Sequence, residues 1–111
     1  MSSWNADRGD TMTTYAVGLH NFHRSAWLDA YKDKVTELIA KHGGKYVARA
    51  SNCPWEMLEG NQPDITGITI IEFPTMDAAR SWHSDVEYQP FIKLRQAGSQ
   101  LDMMLVEGCD G

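Results

Sequence analysis

The chain has 111 residues, of which 42% are hydrophobic and 23% charged, and its formal net charge at pH 7 is -5. This length accommodates one domain with one hydrophobic core, and the acidic balance offers no basic surface that could neutralise the phosphates of a nucleic acid. No apolar run approaches the roughly 20 residues that span a bilayer, so neither nucleic acid nor a membrane is a predicted partner.

The first 13 residues mix small polar residues without periodicity, which predicts a disordered leader before a domain over residues 14–108 and a tail over residues 109–111. Asp7, Arg8 and Asp10 stand where a signal peptide needs an apolar stretch. Cys53 and Cys109 lack CxxC spacing and are typical of thiols in a reducing compartment. We therefore predict a cytoplasmic protein.

The first predicted strand covers residues 15–22, and Ser25 is a candidate N-cap for the helix that follows. Apolar residues recur at helical spacing from Trp27 to His42, which predicts an amphipathic helix. The glycine pair at 43–44 is expected to end it, because glycine adopts the left-handed conformation without a Cβ penalty.

The second strand is predicted over residues 45–50, is interrupted by Cys53-Pro54 and continues over residues 55–58. The third strand is predicted over residues 65–73, and Pro74 ends it. The fourth strand is predicted over residues 101–106.

Between the third and fourth strands, Thr75 is a candidate cap for a helix that runs through Trp82. Ser84 and Glu87 have the spacing of a capping box. Because proline is tolerated in the first turn of a helix but not in its interior, Pro90 predicts a break near residues 85–89 and a fresh helix over residues 91–95.

The predicted order is strand, helix, strand, strand, helix, strand. This order is typical of the ferredoxin-like βαββαβ arrangement, an α+β fold with a four-stranded antiparallel sheet in the order 4-1-3-2 and both helices on one face. The strands carry apolar residues on both faces, so the uncovered face needs a partner. A second copy of the chain is the predicted partner, because two-fold homodimers are the commonest solution.

Short motifs follow one another along the chain in this order: Gly43-Gly44-Lys45-Tyr46, Arg49, Glu59-Gly60, Glu72-Phe73-Pro74, Ala78-Ala79, Trp82, Tyr88-Gln89, Arg95 and Glu107-Gly108. In these motifs the chain resembles the bacterial family known as domain of unknown function 1330, over roughly residues 15–108. The resemblance implies a dimeric α+β barrel, in which two sheets face each other and the helices lie outside.

The wider superfamily that this resemblance implies includes antibiotic-biosynthesis monooxygenases, muconolactone isomerase, haem-degrading enzymes and ligand-sensing domains, with sites between a sheet and its own helices. The family itself has no settled activity, so the resemblance implies architecture and not function. The chain also departs from the family pattern, with His23 to Trp27 in place of Asp-Pro and a tyrosine, and with His83 where an aromatic residue is usual.

His83 is the candidate catalytic residue, because an imidazole beside a cleft needs little adjustment of its pKa to move protons at neutral pH. Arg49 and Arg95 are candidate ligand-binding residues, since either guanidinium could bind a carboxylate, although each could instead pair with a glutamate. The large rings that could wall an aromatic-ligand pocket, or simply fill the core, are those of Trp27, Tyr31, Trp82 and Tyr88.

Other candidate chemistry is weaker. Glu59, Glu72 and Glu107 could act as acid-base carboxylates, but the expected strand order separates them, and turn or strand-end roles are favoured. His20 and His23 have a spacing that two metal ligands could use, yet no third ligand is evident, and no metal site is predicted. Phosphate-binding glycine loops and flavin motifs are absent from the sequence, so no cofactor is predicted.

The sequence therefore predicts a homodimer with a small cleft in each subunit that holds a small aromatic or carboxylated organic molecule. Three functions stay open. The chain could be an enzyme similar to cofactor-independent oxygenases or isomerases, a binding module that does not turn its ligand over, or an assembly module.

Overall fold

The computed structural model describes residues 13–22, 28–50, 53–61 and 64–109. None of the helices in these ranges is long and apolar enough to cross a membrane. The elements in chain order are β1 (Thr14–Phe22), α1 (Leu28–Lys41), β2 (Lys45–Ala48), β3 (Gly67–Phe73), α2 (Met76–Ser84), α3 (Gln89–Gly98) and β4 (Ser99–Glu107).

The four strands form one sheet in the order β2-β3-β1-β4, and every neighbouring pair is antiparallel. This order is the one that the sequence predicted, and the predicted α+β fold is confirmed. The second predicted helix consists of two helices, α2 and α3, that meet near the predicted break.

The two faces of the sheet differ in burial. On β1, every second residue from Thr14 to His20 is buried, and on β3 the same holds from Gly67 to Phe73. These residues lie on the face that the helices cover, where they meet buried side chains of α1 and α2 such as Ile39 and Trp82. The opposite face, which we call the outer face, has no helix packed on it among the described residues.

The end of α1 explains why the glycine pair follows it. The Gly43 N–H donates to the carbonyl of Ala40 at 3.0 Å, and the Gly44 N–H donates to the carbonyl of Ile39 at 2.9 Å. This is a Schellman motif, which requires a left-handed residue at its turn. Gly43 supplies that conformation with a φ of 81°.

The break between α2 and α3 is built on Asp85. Its carboxylate contacts the His42 Nε2 atom at 2.7 Å and accepts from the Lys41 Nζ atom at 2.9 Å, and it also accepts the Glu87 N–H at 2.9 Å. These bonds, with the His42 contact the largest cause, hold the pKa of Asp85 below its usual value. The carboxylate thereby ties the end of α1 to the α2–α3 junction.

The predicted capping box of Ser84 and Glu87 is wrong. The Ser84 hydroxyl donates back to the carbonyl of Arg80 at 2.9 Å, and the Glu87 N–H is bound by Asp85 instead. The other predicted cap is correct, because the Thr75 hydroxyl oxygen accepts the Ala78 N–H at 3.0 Å at the start of α2.

The predicted continuation of the second strand over residues 55–58 is also wrong. The β2–β3 register shifts between Tyr46 and Ala48, and the strand ends there. The chain then turns, with the Cys53 N–H donating to the carbonyl of Arg49 at 2.9 Å, and Pro54 has no N–H to offer a sheet. The residues that follow are exposed, with Leu58 at 86%.

Several predictions fall on residues outside the described ranges. These are most of the leader, the Ser25 cap, His23 as a metal-ligand candidate, and Trp27. The domain boundaries at residues 14 and 108 remain predictions.

Candidate functional site

A cavity of about 230 Å³ lies between α2 and the inner face of β4. Met103 and Leu105, alternate residues of β4, form its apolar floor, and α2 contributes Arg80, Trp82 and His83. Arg80 and His83 reach the same cavity because residues three apart share one face of a helix. We call this space the α2–β4 cavity.

His83 packs at the wall of the α2–β4 cavity against two aromatic rings. Its imidazole centroid lies 5.9 Å from that of Trp82 and 6.0 Å from that of Tyr88, and both contacts are edge to face. His83 is an exposed residue, and the partial cover of its imidazole and, second, the positive charge of Arg95 lower its pKa. The imidazole is therefore neutral at pH 7 and able to accept a proton.

Behind the cavity, Trp82 is fully buried in an aromatic stack. Its ring stacks on Tyr88, with centroids 4.8 Å apart and an interplanar angle of 25°, and it contacts Phe73 at 5.3 Å. Trp82 and Tyr88 lie on either side of the α2–α3 break, so the Asp85 junction positions both rings. The stack gives the cavity a rigid wall.

Arg95, on α3, forms a hydrogen-bonded cluster with two tyrosines. Its Nη1 atom donates to the hydroxyls of Tyr88 at 3.0 Å and Tyr31 at 3.2 Å, and the two hydroxyls are 2.8 Å apart. Burial is the main cause that raises the pKa of Tyr88 well above its usual value, so its hydroxyl stays neutral. The cluster places a buried cation behind the wall that carries His83.

His20 lies on the same inner face of the sheet. Its Nε2 atom is 2.9 Å from the hydroxyl oxygen of Thr69, which also accepts the Ala50 N–H at 3.1 Å. Burial and, second, the charge of Arg95 lower the pKa of His20 to about 4. The charge of Arg95 thus acts on His20 as well as on His83.

The structure brings together five of the predicted site residues. Trp82 and His83 line the α2–β4 cavity, and Tyr88 stacks directly behind them. Arg95 and Tyr31 form the adjoining cluster with Tyr88. Trp27, the remaining predicted aromatic wall, lies outside the described ranges.

Arg49 is placed elsewhere. Its guanidinium lies over the ring of Tyr46, 4.1 Å from the centroid, in a cation–π contact. Burial is the main cause that raises the pKa of Tyr46 to about 12. In this arrangement Arg49 covers the inner side of the sheet at β2, which is the edge opposite β4.

The three candidate carboxylates are dispersed. Glu72 pairs with Tyr15 and Glu107 pairs with Thr14, so the two point to opposite faces of the sheet. Glu59 lies in the exposed segment after β2. Within the described ranges, no group of three or more His, Cys, Asp and Glu side chains is placed to hold a metal ion.

Sequence reasoning missed Arg80, Met103 and Leu105 as cavity residues. Arg80 precedes His83 by three positions, so helical spacing could have identified it. Met103 and Leu105 stood within a predicted strand, but only its register against β1 shows which alternate residues face the helices.

Solved structures with the same fold come from several bacteria. A protein of unknown function, RPA0582 from Rhodopseudomonas palustris, is 18% identical with a TM-score of 0.73, covering 99% of this chain and 93% of that chain. SnoaB from Streptomyces nogalater, a cofactor-independent oxygenase, is 16% identical with a TM-score of 0.63, covering 90% of this chain and 96% of that chain.

A conserved protein of unknown function from Bacteroides thetaiotaomicron, described as a possible oxidoreductase, is 12% identical with a TM-score of 0.58, covering 90% of this chain and 100% of that chain. At these identities the likeness shows the fold alone. A comparison with curated proteins found no match.

A model of the family that the sequence motifs resemble also matches the chain. That model is described as "Domain of unknown function (DUF1330)" and matches residues 13–109, which is most of the chain. The chain therefore belongs to the DUF1330 family.

Proposed function

We propose that the α2–β4 cavity binds a small, partly aromatic or carboxylated molecule and that His83 accepts a proton from it. The observation that carries this proposal is the position of His83, whose imidazole has a lowered pKa at the wall of an apolar cavity. The volume of about 230 Å³ is smaller than the roughly 300–1,000 Å³ of clefts for drug-sized ligands, which favours an occupant with a single ring.

The charge of Arg95 supports the direction of proton transfer. A positive charge that disfavours the imidazolium form of His83 also favours an anion next to it. When a C–H bond next to a carbonyl group of the ligand breaks, its proton moves to an imidazole nitrogen and the electron pair stays on the ligand as an enolate. The apolar floor of Met103 and Leu105 offers a surface against which the ring of the ligand packs.

Two reactions can follow from such an enolate. Return of the proton to a different atom isomerises the ligand. Reaction of the enolate with molecular oxygen forms a C–O bond and reduces the oxygen to a peroxide, which takes up the proton from His83. Neither reaction needs a cofactor from the protein. The similarity to SnoaB, a cofactor-independent oxygenase, supports the second reaction at the level of fold.

We expect the His83→Gln variant to bind acetophenone with nearly wild-type affinity but to lose catalysis of proton exchange. Glutamine still fills the wall and forms hydrogen bonds, whereas it cannot accept a proton at neutral pH. General bases contribute roughly 100-fold or more, so deuterium incorporation into the acetophenone methyl group, followed by mass spectrometry in heavy water, should fall by at least about that factor.

The control is Lys93→Gln, since Lys93 is exposed on α3 and is not a residue of the α2–β4 cavity. It should retain both binding and exchange. Equal exchange by wild type and His83→Gln would exclude His83 as the base, and failure of the wild-type protein to bind acetophenone would overturn the cavity proposal.

A binding module without turnover is the second candidate. One observation favours it: among the described residues, no side chain bonds to the His83 ring nitrogens to orient the imidazole, as a base usually requires. Binding of acetophenone without accelerated exchange would support this reading. An assembly module is less well supported, because a protein used only for assembly has no need of a cavity of about 230 Å³.

We also propose that two copies of the chain pair through the outer face of the sheet. The outer face carries apolar side chains that are half exposed in a single chain: Val47 at 52%, Met104 at 48% and Val106 at 51%. Val17 pairs with Met104 and Ile70 across three strands, which makes the patch continuous. A second copy would cover it with an identical patch.

Replacing Met104 with lysine should convert the dimer into monomers. Two-fold symmetry would bring two new ammonium groups into one apolar interface, and such like-charge contacts are strongly unfavourable. Light scattering at micromolar concentration measures the result. The control, Leu58→Lys, lies in the exposed segment after β2 and should remain dimeric, whereas a monomeric wild-type protein would defeat the dimer proposal.

A further inference from the structure

A second and larger cavity, of about 590 Å³, lies at the end of the sheet where β1 ends and β4 begins. Its inner side is formed by His20 and Leu101, which pair with each other across β1 and β4. Among the polar lining residues, Asn21, Gln100 and Asp102 alternate with these two along the strands and lie on the outer face, whereas Gln96 belongs to α3 and Asp64 precedes β3. We call this space the sheet-end cavity.

The two cavities are neighbours along the inner face of β4. Leu101 borders the sheet-end cavity, whereas Met103 and Leu105 border the α2–β4 cavity. Alternate residues of a strand are about 6.8 Å apart. The two spaces therefore succeed each other along one row of side chains.

Gly18 lies at the point between them. It is buried on the inner face of β1 and pairs with Met103. A Cβ atom at this position would lie 2.9 Å from Leu101 Cδ1, 3.5 Å from His20 Nε2 and 3.6 Å from Met103 Cε. The absence of a side chain at Gly18 thus leaves room that is taken up by side chains from both cavities.

A glycine in the middle of a strand weakens the strand, and it often marks a place where a ligand approaches the backbone closely. The ends of Leu101 and Met103 that meet over Gly18 belong to flexible side chains, and methionine in particular adapts its shape to what it contacts. They can therefore move aside for a ligand at little cost.

We infer that the two cavities become the ends of one cleft over Gly18 when the side-chain ends of Leu101 and Met103 move aside. The ligand is an elongated molecule whose ring lies beside His83 and whose tail lies in the sheet-end cavity. This inference rests on the proposed function of the α2–β4 cavity and extends it by naming the class of ligand.

The chemistry of the sheet-end cavity specifies the tail. The carboxylate of Asp64 accepts hydrogen bonds and carries negative charge, and the carboxamide of Gln96 both donates and accepts. His20 adds no positive charge at pH 7, because burial keeps its imidazole neutral. The tail therefore donates hydrogen bonds through hydroxyl or ammonium groups, and a carboxylate is disfavoured there.

Five phenyl compounds test the inference on the wild-type protein. Toluene supplies only the ring, and butylbenzene adds a spacer. Phenylbutanol, phenylbutylamine and phenylbutyrate add a hydroxyl, an ammonium and a carboxylate to that spacer. Phenylbutanol or phenylbutylamine should bind about tenfold more tightly than butylbenzene, as expected for one hydrogen bond to a charged group, and phenylbutyrate should bind more weakly than either. Whichever of phenylbutanol and phenylbutylamine binds more tightly shows whether the donor group is a hydroxyl or an ammonium.

The Gly18→Val variant should abolish this advantage. A valine side chain would occupy the passage between the cavities, so the affinities of phenylbutanol and phenylbutylamine should fall to that of toluene, whose affinity should not change. Valine favours the strand, and the first atom it meets is the end of a leucine side chain. Gly18→Ala is a smaller block with a partial effect, and Ala40→Val, which adds a similar volume at an exposed position of α1, is the control.

Nuclear magnetic resonance spectra of the wild-type protein separate the outcomes, so this test does not depend on whether any variant folds. Toluene should shift signals of His83 alone, whereas phenylbutanol should shift those of His83, Gly18 and Gln96 together. If toluene shifts His83 but the tails add no affinity and leave Gly18 and Gln96 unchanged, the single cleft is wrong and the proposed function stands. If none of the compounds shifts His83, both are wrong.

Discussion

The Trp82→Ala variant is expected to lose about 3–5 kcal/mol of unfolding free energy, the usual cost of truncating a buried tryptophan. Trp82 is 1% exposed and packs between Phe73 and Tyr88. Small domains have about 5–15 kcal/mol of stability in total, so this loss would leave the variant close to unfolding. Urea denaturation followed by circular dichroism measures it.

The control is Trp55→Ala, a tryptophan that is 36% exposed in the segment after β2. Its indole N–H makes a 3.4 Å contact with the carbonyl of Thr66, which is long for a hydrogen bond, so its loss should cost about 1 kcal/mol or less. Similar losses in the two variants would contradict the placement of the core between the sheet and α2.

The Arg95→Met variant is expected to lose about 1–3 kcal/mol of unfolding free energy and to raise the pKa values of both His20 and His83. The tyrosine hydroxyls of the cluster would lose a charged donor, while methionine retains much of the side-chain volume. The positive charge of Arg95 lowers both histidine pKa values, so its removal should raise them. Neither pKa should return fully to its ordinary value, because the cover of each imidazole still lowers it.

Denaturation measures the first effect, and titration of the histidine ring protons by nuclear magnetic resonance measures the second. Lys93→Met removes a positive charge from an exposed position on the same helix and should change neither quantity appreciably. Unchanged histidine pKa values in Arg95→Met would mean that the buried charge does not act on the site.

The arrangement of the sheet could be predicted from the sequence because its signals are local. Strand and helix periodicity, the glycine pair after α1 and the Pro90 break together specify the order of the elements. The connection rules for such an order then give the strand positions that the structure has. The segment after β2 was mispredicted because the apolar residues from Trp55 to Leu58 look like a strand, although the turn at Cys53 directs them away from the sheet.

The site could be predicted only in its parts. The sequence predicted Trp82 and Tyr88 as pocket walls and His83 as a base beside a cleft, and these three residues are near one another in the chain. The hydrogen bond between Tyr31 and Tyr88 joins residues 57 positions apart, and that between Arg95 and Tyr31 spans 64 positions. Such contacts depend on how α1 and α3 pack, which no local pattern reports.

Local sequence patterns likewise could not predict which residues of each strand lie on the inner face and which on the outer face. Apolar residues occupy both alternate sets on β1 and β4, so periodicity alone does not say which set the helices cover. The register of β1 with β4 decides it, placing Met103 in the cavity and Met104 on the outer face. A shift of one residue would exchange the two.

The measurement that tests the central claim most directly is the titration of His83 by nuclear magnetic resonance, with and without benzoate. We predict a pKa below the ordinary value of about 6.5 in the free protein, and a rise on adding benzoate, because a carboxylate beside the imidazole favours its charged form. A His83 that titrates at the ordinary value and does not respond to benzoate would contradict the assignment of the α2–β4 cavity as the functional site.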